Sequence, residues 1–106
     1  MENRIVGEIF NLDIVKISEK ISEKIDVIIQ KRNVEELSIY NNVFELNIYK
    51  YNSQTFLIGG TIWDYNNGVC AINKIAEILV KEDILFEIEI ENYNNYSIRN
   101  SKAVNK

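Results

Sequence analysis

The chain has no histidine, no proline and one cysteine, Cys70, in 106 residues. Each absence removes a class of chemistry. Without imidazole the protein lacks the commonest general base, the commonest metal ligand and any histidine-based nucleophilic triad. A single thiol permits neither an intramolecular disulfide nor a cysteine zinc cluster. Without proline there is no proline-rich ligand segment and no prolyl isomerisation step in folding. Long apolar runs are missing as well, and nothing approaches the roughly 18 residues of a membrane span. The opening segment MENRIVGEIF is broken by Gly7 and Glu8 and lacks a small-residue cleavage site. It is therefore expected not to act as a secretory signal, and the expected location is cytoplasmic. Basic residues are the minority, 12 against 16 acidic, for a net charge of −4. That balance argues against direct nucleic-acid binding.

What remains is the composition of an ordinary globular domain, 46% hydrophobic and 26% charged. A chain of this length buries roughly 65% of its unfolded surface, enough for a core without disulfide or metal. One domain is expected over residues 1–100, with 101–106 as a frayed tail.

The clearest pattern is the stretch Thr55 to Tyr93, which reads strand, turn, helix, strand. In ILFEIEIENY, Phe86, Ile88 and Ile90 alternate with Glu87, Glu89 and Glu91. That period predicts a half-buried strand with an acidic outer face. Upstream, Arg4 to Phe10 reads as a first strand with apolar residues on both faces, suited to the inside of a sheet. Asn11 or Asp13 caps a helix expected to run to about Arg32, with Ile14, Ile17, Ile21, Ile25 and Ile28 as its apolar stripe. Around its ISEK-ISEK repeat, Lys16–Glu19 and Lys20–Glu23 stand three residues apart, a spacing that favours ion pairs. The stripe is too short for a coiled coil and fits a helix lying on a sheet. Lys31 and Arg32 suit a helix C-terminus, and Asn33 a left-handed closing residue.

Strands follow over Val34–Tyr40, Val43–Tyr51 and Thr55–Trp63. Leu37, Ile39, Phe44, Leu46, Ile48, Phe56, Ile58 and Ile62 are their inward residues. Asn41-Asn42 fits a tight hairpin through positive φ, and Gly59-Gly60 predicts a bulge or a close backbone approach. A second helix starts near Asp64–Gly68 and carries Ile72, Ile75, Ala76 and Leu79 inward. Asn94-Asn95 turns the chain into a last short strand, Tyr96–Arg99. The order predicts an α+β fold, a single mostly antiparallel sheet of five to six strands covered on one face by two helices. It is close to a ferredoxin-like split βαβ with one added strand.

Candidates for chemistry are few. Cys70 near a helix start has no histidine to activate it and apolar neighbours, so a buried structural thiol is expected. GGTIWDYNNG matches neither common phosphate-loop pattern. Glu87, Glu89 and Glu91 stand about 7 Å apart along one strand, a ladder rather than a convergent metal cage. No catalytic residue, metal or cofactor is assigned. The acidic ladder is either a solvated face or an electrostatic docking surface. Trp63, Asp64 and Tyr65 lie at a strand end beside a turn, where aromatic anchors often sit.

These residues point to a small non-enzymatic binding protein with a basic protein partner. The favoured expectation is an inhibitor of a target such as a nuclease, either a toxin-immunity protein or an anti-CRISPR-like phage antagonist. The alternative is a small-ligand or sensor domain acting as a homo-oligomer, with its pocket near Trp63 and Gly59-Gly60. A third reading is an assembly subunit that pairs edge strands.

Overall fold

The computed structural model describes residues 3–91 and 96–99. Strand β1 (Asn3–Phe10) leads into helix α1 (Ile14–Lys24). Four strands follow: β2 (Ile28–Asn33), β3 (Glu36–Tyr40), β4 (Phe44–Lys50) and β5 (Thr55–Ile62). Helix α2 (Tyr65–Lys81) returns the chain to β6 (Phe86–Glu91) and β7 (Tyr96–Arg99). All strand pairs are antiparallel, in the order β2-β3-β4-β5-β1-β6-β7. The α+β class, the single sheet and the two helices are as the sequence predicts. Tyr93, the Asn94-Asn95 turn and the 101–106 tail lie outside the described residues.

The topology follows from where β1 sits. The first strand in the chain lies between β5 and β6, so α2 carries the chain from β5 over β1 to β6 as a split βαβ unit. The other crossover, through α1, passes three strands to reach the far edge at β2. Inward residues alternate as the period of two requires. Ile5, Ile9, Leu46, Ile58, Ile62, Ile88 and Ile90 are each at most 3% exposed. They join Ile14, Ile17 and Ile21 of α1 and Ile72, Ile75, Ala76 and Leu79 of α2 in one core. Both helices therefore cover the same face.

One element differs from expectation. Helix α1 stops at Lys24 instead of Arg32, and the missing part is strand β2. After Lys24 the sequence is Ile25-Asp26-Val27-Ile28-Ile29, four β-branched residues in five, which favour extended backbone. Ile25 already has φ −133 and ψ 138, and its N–H closes the helix on the Ile21 carbonyl at 2.9 Å. Ile29 then packs inward opposite Ile39, whereas Ile28, assigned to the apolar stripe, is 57% exposed. Ile25 is partly buried against the core. Lys31 and Arg32 belong to an edge strand, where charge discourages pairing with other chains.

Asparagine builds the tight connections in a chain poor in glycine and free of proline. Asn41 and Asn42 do not take positive φ; only Asn11 and Asp83 do among the non-glycine residues described. Instead the Asn41 Oδ1 accepts from the N–H groups of Val43 (2.8 Å) and Phe44 (3.2 Å). Asn52 repeats this with Gln54 and Thr55. Asn33 accepts from the Glu35 N–H at 2.7 Å and is not left-handed. These side chains take the place of a turn hydrogen bond. Asp83, at φ 59, closes α2: its N–H reaches the Val80 carbonyl and that of Ile84 the Leu79 carbonyl, a Schellman arrangement.

Strand β5 carries no bulge; its register with β1 and β4 runs unbroken through Gly59-Gly60. The alternative expectation holds at Gly60, where a β-carbon would run into the Glu45 carbonyl of β4. Gly7 meets the same limit against the Glu87 carbonyl of β6.

Two lysines of α1 reach across the helix layer. Lys16 Nζ lies 3.0 Å and Lys20 Nζ 3.9 Å from the Glu82 carboxylate at the end of α2. The Lys16 hydrogen bond lowers the Glu82 pKa and raises that of Lys16.

Ile21 is fully buried. Ile21→Ala is expected to lower unfolding stability by about 2–5 kcal/mol; a denaturation midpoint equal to the parent's would mean that α1 is not packed on the sheet. The Glu82 pairing sets a pH dependence. A lowered carboxyl pKa contributes stability above the unfolded value, about 4.3, and the contribution vanishes as pH falls through the folded value. The difference in urea midpoint between parent and Glu82→Gln should therefore be present at neutral pH and shrink as pH falls below about 4.3. A pH-independent difference would show that the ion pair is not its source.

Candidate docking surface

The face of the sheet opposite the helices is built by the alternate residues of each strand. Three rows run straight across β3, β4, β5, β1 and β6. One is Glu36, Tyr49, Leu57, Glu8, Glu87. The next is Ser38, Asn47, Gly59, Val6, Glu89. The third is Tyr40, Glu45, Thr61, Arg4, Glu91. Glu8, Glu45, Glu87 and Glu91 are exposed, and Tyr49 is 46% exposed. Val6, Phe10 and Leu57 are half-buried by their neighbours alone.

Charge on this face is uneven. Glu8 stands directly opposite Glu87, with Glu89 and Glu91 beside them. Glu87 is also the register partner of Arg99 in β7, and Glu89 that of Ser97. Opposed residues in such a ladder have Cβ atoms about 4.5–5.5 Å apart, and like charges so placed destabilise the sheet. A depression of about 280 Å³ opens here, with Val6 and Leu57 as its apolar part and Glu8, Glu87 and Glu89 at its sides. A second, of about 300 Å³, lies over β3 and β4 and includes Arg32, Glu36, Ser38, Asn47 and Tyr49. Ser38, 5% exposed, donates its hydroxyl to the Asn47 Oδ1 at 2.8 Å.

The sequence grouped Trp63, Asp64 and Tyr65 into one contact site; the fold gives them three situations. Trp63 continues the β4–β5 ladder, its N–H donating to the Val43 carbonyl at 2.8 Å, and is 46% exposed. Two residues past Thr61, it stands at the Glu91 end of the face. Asp64 is the N-cap of α2, accepting from the Asn67 N–H (3.3 Å) and its Nδ2 (2.8 Å). Tyr65 packs against the core. Glu8 escaped the sequence reading because β1 carries apolar residues on both faces, which hid its alternation. The row that joins it to Glu87 depends on a pairing between strands almost 80 residues apart.

Cys70 corrects an expectation: it is exposed, not buried. The buried stripe of α2 is Gly68, Ile72, Ile75, Ala76, Ile78 and Leu79. Position 70 falls two residues, about 200°, from Gly68 and so turns to solvent.

Among the described residues, no group of three His, Cys, Asp or Glu side chains is placed to hold a metal ion. No helix there is long and apolar enough to cross a membrane. No family model, no curated protein and no solved structure matches the chain. What the surface does must be read from its own residues.

In the native protein Cys70 is expected to react with a disulfide reagent at neutral pH about as fast as in the unfolded chain, since no packing shields it. Protection by a factor of about a hundred, relieved by denaturant, would place it back in the core.

Proposed function

We propose that the protein is a small, acidic, non-enzymatic binding protein that docks on a basic protein through the helix-free face of its sheet. A basic nuclease is the kind of target this chemistry fits, which makes the protein an inhibitor of the toxin-immunity or anti-CRISPR-like kind. One observation carries the reading: Glu8, Glu87, Glu89 and Glu91 are gathered on two adjacent strands of the face that no described helix covers, with Glu8 opposed to Glu87. A concentration of carboxylates on one face is electrostatically complementary to a cationic surface. Carboxylates can occupy a basic groove meant for phosphates. The face does not suit self-association, because two copies meeting there bring like charges together.

The sensor reading centred on Trp63 and Gly59-Gly60 needs a pocket beside those glycines. They lie in mid-strand between β4 and β1, where Gly60 is closed off by the Glu45 carbonyl of β4 and Gly59 has space beside it.

The test uses a basic target recovered by affinity capture from the native host or a competitor, followed by surface-plasmon kinetics at several salt concentrations. A Glu87/Glu89/Glu91 triple-Lys variant should associate at least tenfold more slowly at low ionic strength, with a smaller difference at high salt. Glu89→Lys should stay within about 0.5 kcal/mol of the parent's stability, as surface changes do. Trp63→Ala should act on dissociation instead. Unchanged association of the folded triple variant at low salt would reduce the acidic strand to a solvated face.

A further inference from the structure

Strand β6 is too small to hold a partner alone. Its six residues span about 20 Å, which at a strand spacing of about 4.8 Å covers on the order of 100 Å², a small part of the roughly 800 Å² that each partner contributes to a stable interface. The covered area must spread over neighbouring strands, and the helix-free face offers β1, β5 and β4 in that order. Three strand spacings, about 14 Å, separate β6 from β4. There the second depression brings together Tyr49, Asn47 and Arg32.

The chemistry at β4 differs in kind from that at β6. The Ser38 hydroxyl holds the Asn47 carboxamide by its oxygen, which leaves both Asn47 N–H donors without a partner among the described residues. Tyr49 adds a half-exposed ring, in the same row as Leu57 and Glu8. A ring and a fixed donor make a contact for main-chain carbonyls, whereas β1 and β6 offer carboxylates for cations.

Resting on the docking reading above, we propose that the occupant is an extended, arginine-rich segment of the basic partner, laid across the strands of the helix-free face. Its guanidinium groups meet Glu8, Glu87, Glu89 and Glu91. A main-chain carbonyl accepts from Asn47 Nδ2 beside Tyr49. Ser38 is a positioning residue that acts through Asn47. A peptide of ten residues reaches about 33 Å when extended, enough to cover both contacts.

The probe is a ten-residue peptide of alternating arginine and glycine, titrated into the isotopically labelled full chain at low salt and followed by NMR. Shifts are expected at the backbone amides of Glu8, Glu87 and Glu89 and at the Asn47 side-chain NH₂. Asn47→Ala should weaken binding about fivefold, the worth of one hydrogen bond near 1 kcal/mol. Ser38→Ala should weaken it less, while raising the mobility of the Asn47 side-chain amide. Shifts confined to β1 and β6, with Asn47→Ala binding like the parent, would overturn this inference and leave the acidic docking face standing. Shifts absent from β1 and β6 as well would overturn both.

Discussion

Strand β1 is the constraint on which the molecule depends. It pairs with β5 from Asn3 to Phe10 and with β6 from Arg4 to Ile9, so among the described strands it joins the β2–β5 meander to the β6–β7 pair. Ile5 and Ile9 fix its inner face in the core, at 1% and 0% exposure. Gly7 lies between them, where the β6 backbone comes too close for any β-carbon. The same pairing fixes the outer face: Val6 beside Glu89, and Glu8 opposite Glu87. An acidic strand that alone looks like ordinary surface becomes, next to β1, a two-strand carboxylate patch with apolar residues at its centre.

Much of this was legible in the sequence, because period-two and period-3.6 patterns report burial directly. Every inward residue named from β3 to β6 is buried, and so is the α2 stripe. The helix-to-strand change at Lys24 was not legible from periodicity. Ile17, Ile21, Ile25 and Ile28 continue a helical stripe, and neither glycine nor proline marks the break. The β-branched cluster from Ile25 to Ile29 decided it, a local propensity outweighing a continuing pattern. The ion pairs of α1 were misread for a related reason. Sequence spacing shows which residues share a helix face, but Glu82, the partner of both lysines, comes from the other helix.

The candidate surface was half legible. The Glu87–Glu89–Glu91 alternation is plain, and Asp64 reads as a helix cap. What sequence alone withholds is adjacency across the sheet. Glu8 joins the ladder, and Asn47 and Tyr49 share its face, only through the order β4-β5-β1-β6. Cys70 was misplaced because residue type outweighed position. Cysteine is commonly buried, yet the helical period of α2 places position 70 toward water.

The fold thus separates two tasks. The inner face holds a close-packed apolar core under two helices, and the outer face is free to differ in charge and shape without disturbing it. The central claim is that the outer face is where a partner binds. Carbodiimide labelling of carboxylates, read by mass spectrometry on the free protein and on its complex with a captured basic target, tests this most directly. Protection should fall on Glu8, Glu87, Glu89 and Glu91, with Glu19, Glu23 and Glu77 on the helices labelled as in the free protein. Protection of the helix carboxylates, with Glu8 and Glu87 labelled as before, would contradict the claim.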